Sequence, residues 1–254
     1  MHNELWKIGP FTMYGYGTMI GIGILCAYFL TEYRARKYKL AYEHIFYLVI
    51  WSVLGGFLGA KLLFLLTEWK NILQEPGEFL YYLTDGFVVY GGILGGILSG
   101  WLYCRKANLE FLKYFDLVMP AVALAQGFGR IGCFLAGCCY GRETHHAPSV
   151  IFRISEFAPN GIPLIPTQLY SSVLDFLLFG LLLWIAKRKI RDGQVAAAYL
   201  SFYSAGRFLL EFFRGDAERG TIGFLSTSQF IAVFTGAAGV LLFLSPGFRR
   251  KRNI

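Results

Sequence analysis

Charged side chains are scarce in this chain. They make up 16% of its 254 residues, against 56% hydrophobic residues, and the mean hydropathy is +0.49. That balance excludes a soluble domain of this size. Acidic residues are the scarcer sign: 16 Asp and Glu stand against 24 Lys and Arg, a formal net charge of +8. Such an excess can mark a nucleic-acid binder. Here the basic residues fall in short clusters at every second gap between apolar runs, the pattern of cytoplasmic loops, so no nucleic-acid partner is expected. No cleavable signal peptide is expected either. MHNELWKIGPF has no basic stretch leading into a short apolar core and a small-residue cleavage site. No internal repeat is strong enough to argue a transporter by symmetry. Cysteine is sparse, at five residues. Cys26 and Cys104 fall near the ends of apolar runs and read as packing residues. Cys133, Cys138 and Cys139 have the spacing C-x4-C-C, which is not a standard zinc pattern. They read as small, soft packing groups, and neither a metal nor a disulfide is expected.

What is present is long apolar sequence. Seven segments approach the ~20 residues needed to cross the hydrocarbon core: 13–30, 45–66, 87–103, 115–134, 169–186, 195–213 and 224–244. The predicted fold is an all-α polytopic membrane protein of about seven transmembrane helices, a single domain over 1–254. The basic clusters are Arg34, Arg36, Lys37 and Lys39; Arg105, Lys106 and Lys113; Lys187, Arg188, Lys189 and Arg191; and Arg249, Arg250, Lys251 and Arg252. With seven spans all four lie on one side, which the positive-inside rule makes cytoplasmic. The N-terminus is then outside and the C-terminus inside. The loop with Glu68, Glu75, Glu78 and Asp85 falls on the outer side. So does segment 141–166, rich in Pro, Asn and Gly, which reads as a small extracytoplasmic cap with a short strand in SVIFRI.

The most informative stretch is QGFGRIGCFLAGCCYG, from Gln126 to Gly141. It sets Arg130 in an apolar, glycine-rich run. An ionisable group at membrane depth costs at least ~2.5 kcal/mol and marks a functional site by default. Its natural partner is an anion, a lipid phosphate or a carboxylate. A second polar stripe runs along YSAGRFLLEFFRGD, where Tyr203, Arg207, Glu211 and Arg214 follow at helical spacing. Arg207 and Glu211 can form an internal ion pair. One carboxylate cannot neutralise all the arginines, and the remaining positive charge suits a phosphate.

Other features keep two readings. The glycines of DGFVVYGGILGGILSG suit close helix packing. Tyr90 at their edge is an interfacial anchor, or a hydrogen-bonding group for a headgroup or a reacting thiol. Tyr14 and Tyr16 suit an aromatic belt. Lys61 snorkels outward or pairs with a buried acid such as Asp116. Gln168 and Tyr170 can point polar groups into the cavity. His145 and His146 lie in a loop and read as solvated.

Together these residues resemble the prolipoprotein diacylglyceryl transferase family. The resemblance covers most of the chain. It rests on Gly9, Pro10, Tyr16 and Gly17; on Gly59, Lys61 and Leu62; on Asp116, Pro120 and Gln126; on G-R-x-G from Gly129 to Gly132; on Pro166 to Tyr170; and on Tyr203, Arg207, Glu211 and Arg214. Where the family core reads G-R-x-G-N-F-x-N-x-E-x-x-G, this chain has Cys133, Ala136 and Cys138 at the Asn, Asn and Glu positions, and Tyr90 replaces the family histidine. The departures suggest a divergent branch that retains the anion site.

The resemblance implies a bacterial inner-membrane enzyme of lipoprotein biosynthesis. It would transfer the diacylglyceryl group of phosphatidylglycerol to the signal-peptide cysteine of a prolipoprotein, forming a thioether and releasing glycerol 1-phosphate, with no cofactor. Arg130, Arg207 and Tyr90 are the implied catalytic residues. Arg130, Tyr16, Gly141, Gln168, Tyr203, Glu211 and Arg214 are the implied substrate contacts. A phenol is a weak base at its reference pKa of ~10, so Tyr90 suits orientation better than proton removal. The alternatives are a membrane thiol–disulfide oxidoreductase using Cys133, Cys138 and Cys139, and a lipid or anion transport protein.

Overall fold

The computed structural model describes residues 4–8, 11–74, 77, 79–84, 86–215 and 220–245. Gly9, Pro10, Glu75, Glu78, Asp85 and the basic cluster at 249–252 lie outside the described residues. The protein is mostly helical. In chain order come strands β1 (Glu4–Ile8) and β2 (Phe11–Tyr14), helices α1 (Gly15–Lys37), α2 (Glu43–Thr67), α3 (Trp69–Gln74), α4 (Phe79–Thr84), α5 (Val89–Lys106) and α6 (Phe111–Ala136). Strands β3 (Val150–Ile151) and β4 (Pro163–Leu164), helices α7 (Thr167–Arg188) and α8 (Gln194–Glu211), strands β5 (Thr221–Ile222) and β6 (Leu225–Ser226), and helix α9 (Thr227–Leu244) follow.

Each of the seven predicted apolar segments falls on a long helix. Four of these, α2, α6, α7 and α9, are long and apolar enough to cross a membrane. Their flanks show why: large side chains such as Phe57, Leu62, Leu177, Trp184, Phe234 and Leu241 stand exposed, where only lipid would cover them. Helices α1, α5 and α8 carry more polar residues and glycine. Besides the helices, the described residues form three two-stranded antiparallel hairpins, β1–β2, β3–β4 and β5–β6, of which the sequence foresaw only a strand in SVIFRI. The first predicted segment begins too early for the same reason. Met13 and Tyr14 belong to β2, and the helix starts at Gly15. A run of apolar residues does not distinguish a strand entering the interface from the helix that follows it.

The chain divides into two compact units. One holds the described residues up to Thr31 and from Phe115 onward, and the other is Glu32–Tyr114. In the latter, α2 and α5 pack backbone to backbone. A Cβ at Gly59 would stand 2.3 Å from the Gly91 carbonyl oxygen, and one at Gly95 would stand 2.2 Å from that of Gly55. The glycine face is therefore a packing seam. Lys61 donates to the Gly86 carbonyl at 3.1 Å, with its ammonium over the rings of Phe64 and Phe87.

In the first unit the core is built by α6, α7 and α8 around Met119, Ala123, Leu178, Leu182, Val195 and Tyr199. Asp116 locks this group at one end. Its carboxylate is 1% exposed and accepts from Lys189 Nζ, Gly193 N and Ala196 N, each at 2.9 Å. An acid on α6 thus caps the start of α8. Gly193 reaches the left-handed region, φ +86°, where glycine has no steric penalty. Segment 137–166 has a small core of its own, Phe152, Ala158 and Leu164, packed on Phe134 and Tyr140. The strand foreseen in SVIFRI is two residues long, and His145 and His146 are exposed.

Candidate anion site

Arg130 lies on α6, Asp175 on α7, and Tyr203 and Arg207 on α8. At about 1.5 Å of rise per residue, Arg130 sits ~9 Å from the end of α6 and Asp175 ~12 Å from the start of α7. Tyr203 and Arg207 sit ~12 and ~6 Å from the end of α8. Those three helix ends are stitched together by backbone hydrogen bonds. Gly141 N donates to Ile165 O at 3.0 Å, Ile165 N to Arg142 O at 3.0 Å, Arg142 N to Phe213 O at 2.9 Å and Gly215 N to Tyr140 O at 3.2 Å. Gly141 is required by this crossing, since a Cβ there would stand 2.5 Å from the Ile165 oxygen. The four polar residues are thereby held at a similar depth.

They line one cavity of about 230 Å³. Arg130, Asp175, Tyr203 and Arg207 supply its polar part. Leu174, Leu177, Leu178, Leu181 and Leu210 supply an apolar wall. Among the described residues, the Arg130 guanidinium makes no hydrogen bond or ion pair. Asp175 and Tyr203 are within its electrostatic reach. Arg207 is engaged differently. It pairs with Glu211 at 2.7 Å and donates to Ser228 Oγ at 2.9 Å. Glu211 in turn accepts from Ser226 Oγ at 2.9 Å, and Ser226 forms a capping box with Gln229 at the start of α9. Arg207 forms the internal ion pair and also lines the cavity.

The remaining predicted residues take supporting positions. Gln168 is buried, and its Nε2 donates to Cys138 O at 2.8 Å. It anchors the loop after α6, and it is not among the cavity-lining side chains. Tyr16, in the first turn of α1, is 43% exposed and lies within electrostatic reach of Cys133 and Arg130. Arg214 is buried at the β-bridge to Gly141. Hydrogen bonds with the Cys133 and Cys138 thiols, and then the Arg214 guanidinium, hold the Cys139 thiol below the usual cysteine range. Tyr90 opens α5 in the other unit.

Two residues of the site went unforeseen, Asp175 in the cavity wall and Tyr199 behind Tyr203. Asp175 is 6% exposed in the middle of an apolar helix. The rule that singles out Arg130 in its run singles out Asp175 in LYSSVLDFLLFG as well. It changes the charge balance too: Arg130, Arg207 and Arg214 now face two carboxylates, Asp175 and Glu211, so one positive charge is in excess rather than two. Tyr199 stacks on Tyr203 with ring centroids 5.4 Å apart and donates its hydroxyl to Gln126 Oε1 at 2.8 Å. Its signal was the same helical spacing, read from Tyr203 back by four residues.

Fold and site define a polytopic helical membrane protein with an arginine-lined cavity backed by leucines. Residues 3–245 match the family of prolipoprotein diacylglyceryl transferases, and the chain belongs to that family. It is 49% identical to a phosphatidylglycerol–prolipoprotein diacylglyceryl transferase of Clostridium tetani, over 99% of this chain and all of that one. It is 45% identical to a second such protein, from Clostridium perfringens, over 96% of this chain and 94% of the other. A Staphylococcus carnosus relative of the same description is 30% identical over 96% and 90% of the two chains.

Proposed function

We propose that this protein transfers the diacylglyceryl group of phosphatidylglycerol to the cysteine thiol of a prolipoprotein signal peptide. The observation that carries this reading is Arg130, a guanidinium with no hydrogen bond or ion pair among the described residues, in a cavity whose other wall is leucine. That pairing suits one amphiphile: a phosphate to accept the fork of donors and an acyl chain to cover the leucines. The acceptor thiolate attacks the glyceryl carbon that bears the phosphate ester. A C–S bond forms, the C–O bond breaks, and its electron pair leaves on glycerol 1-phosphate. Charge grows on phosphate oxygens as the bond breaks, and preplaced donors at low dielectric stabilise it. The same positive potential favours the thiolate. Arg130 and Arg207 bind the phosphate in this reading. Tyr203, held by its stack on Tyr199, and Tyr16 flank it, and Glu211 and Arg214 set the position of Arg207 and of the rim at Gly141. Tyr90 stands at the sequence position of the family histidine. Incubation of the purified protein with phosphatidylglycerol and a signal-peptide substrate, followed by mass spectrometry of the peptide cysteine, tests the reading. A diacylglyceryl adduct is expected. An unmodified cysteine would sink the proposal, and a peptide or enzyme disulfide in its place would favour thiol–disulfide exchange.

The same reading places the protein in the bacterial inner membrane, with α1, α2, α5, α6, α7, α8 and α9 as seven spans. Arg34, Arg36 and Lys37 end α1, Arg105 and Lys106 end α5, and Lys187 and Arg188 end α7. Alternate helices thus finish in basic turns, which puts those ends and the C-terminus in the cytoplasm and the N-terminus outside. A C-terminal fusion to a reporter that works only in the cytoplasm is expected to be active. Activity from an exported-only reporter at that position would reverse the topology.

A further inference from the structure

We propose that Cys133, Cys138 and Cys139 form a binding site for a thiophilic divalent cation of the zinc class. Their spacing in the chain matches no standard pattern, yet the fold gathers them, and their three sulfur atoms lie within 4.8 Å of one another. The gathering has a local cause. Cys133 is on the last turn of α6. Gly137 at φ +76° and Cys139 at φ +62° then turn the chain back over the helix end. Cys138 N bonds to Cys133 O at 3.1 Å, which brings the later thiols beside the first.

The loop is held from its far side. Cys138 O accepts from Gln168 Nε2 at 2.8 Å, and Cys139 O accepts from Thr167 Oγ1 at 2.9 Å. Bonds of this kind fix ligand-bearing segments around metals. Thiolates around a tetrahedral zinc, at ~2.3 Å each, stand ~3.8 Å apart, so about 1 Å of contraction completes the set. A disulfide would need two of the sulfurs at ~2.05 Å and would leave the third thiol out. The donor set is uniformly soft, which selects zinc or cadmium over magnesium or calcium. Three thiolates and a divalent cation carry one net negative charge. Arg214, hydrogen-bonded to Cys139, balances it. Binding releases the three thiol protons to solvent and involves no electron transfer. The cation would clamp the end of α6 to the loop that follows it. It takes no part in the proposed transfer, so its test reads metal and thiols and not lipid.

The protein, purified in detergent under reducing, metal-free conditions, is titrated with zinc chloride. One zinc per chain is expected, with three of the five thiols shielded from maleimide. Cobalt(II) in its place is expected to give sulfur-to-cobalt charge-transfer absorption and the visible bands of a tetrahedral site. Cys138→Ser should weaken binding at least about 100-fold. The double variant Cys26→Ser, Cys104→Ser should bind as the parent does. If Cys138→Ser fails to fold, thiol shielding in the unsubstituted chain decides alone. Equal maleimide labelling of all five cysteines with and without zinc overturns the site. So does a Cys133–Cys138 disulfide recovered under these conditions, or unchanged affinity in a folded Cys138→Ser protein.

Discussion

Arg130→Ala is expected to lower diacylglyceryl transfer by at least about 100-fold, the scale on which a single preorganised donor acts on developing oxyanion charge. The guanidinium makes no hydrogen bond or ion pair among the described residues, so only its electrostatic contact with Asp175 and Tyr203 is lost with it. The fold should therefore survive, and the loss should fall on kcat/KM rather than on stability. Arg130→Lys should recover little. An ammonium is a point charge on a flexible stem and cannot present two parallel N–H groups to one phosphate. Arg207→Ala should also abolish turnover. It would, however, release Glu211 and Ser228 as well, so its melting temperature should drop where that of Arg130→Ala does not. Transfer assays on phosphatidylglycerol vesicles, with thermal unfolding in detergent alongside, separate the two. Near-parental activity in Arg130→Ala would remove the phosphate role.

Asp116→Ala is expected to destabilise the protein by about 4 kcal/mol. Removing one partner of a buried ion pair costs ~3–5 kcal/mol, and loss of a helix cap adds ~1 kcal/mol. Lys189 is 27% exposed and can turn to water, which pulls the figure to the low end. Asp116→Asn keeps an acceptor for Ala196 N and gives up the charge, so about half the loss is expected. Both are read from unfolding in mixed micelles. The arginine cavity lies ~21 Å along α6 from this lock, at 1.5 Å per residue over the 14 residues to Arg130. Reduced transfer in Asp116→Ala would therefore come from lost folded protein, recoverable per folded molecule. An Asp116→Ala protein that melts with its parent would show that the cap does not hold α8.

Much of this was legible in the residues, and what was not has physical causes. The seven helical segments followed from apolar length. Arg130 and the Arg207–Glu211 pair followed from charge in an apolar run and from helical spacing. Asp175 obeys the same rule, but its run averages as strongly apolar and masks it. The β1–β2 hairpin was hidden because Met13 and Tyr14 extend an apolar run across a strand-to-helix junction. The partners of Asp116 and Gln168 are distant in sequence: Gly193 and Ala196 for one, the Cys138 carbonyl for the other. No local pattern reports contacts of that kind. The three cysteines show the converse, since two positive-φ residues defeat a spacing rule written for regular turns and helices.

Helix α8 is fastened at both ends, to α6 by the Asp116 carboxylate where it begins and to the loop after α6 by the Phe213 and Gly215 backbone just past its end. A rod clamped twice can bow or twist but cannot slide. The spacing between Arg130 on one helix and Arg207 on the other therefore acts as a fixed gauge. In the proposed reading it favours headgroups whose oxygens span it over those that would need it stretched.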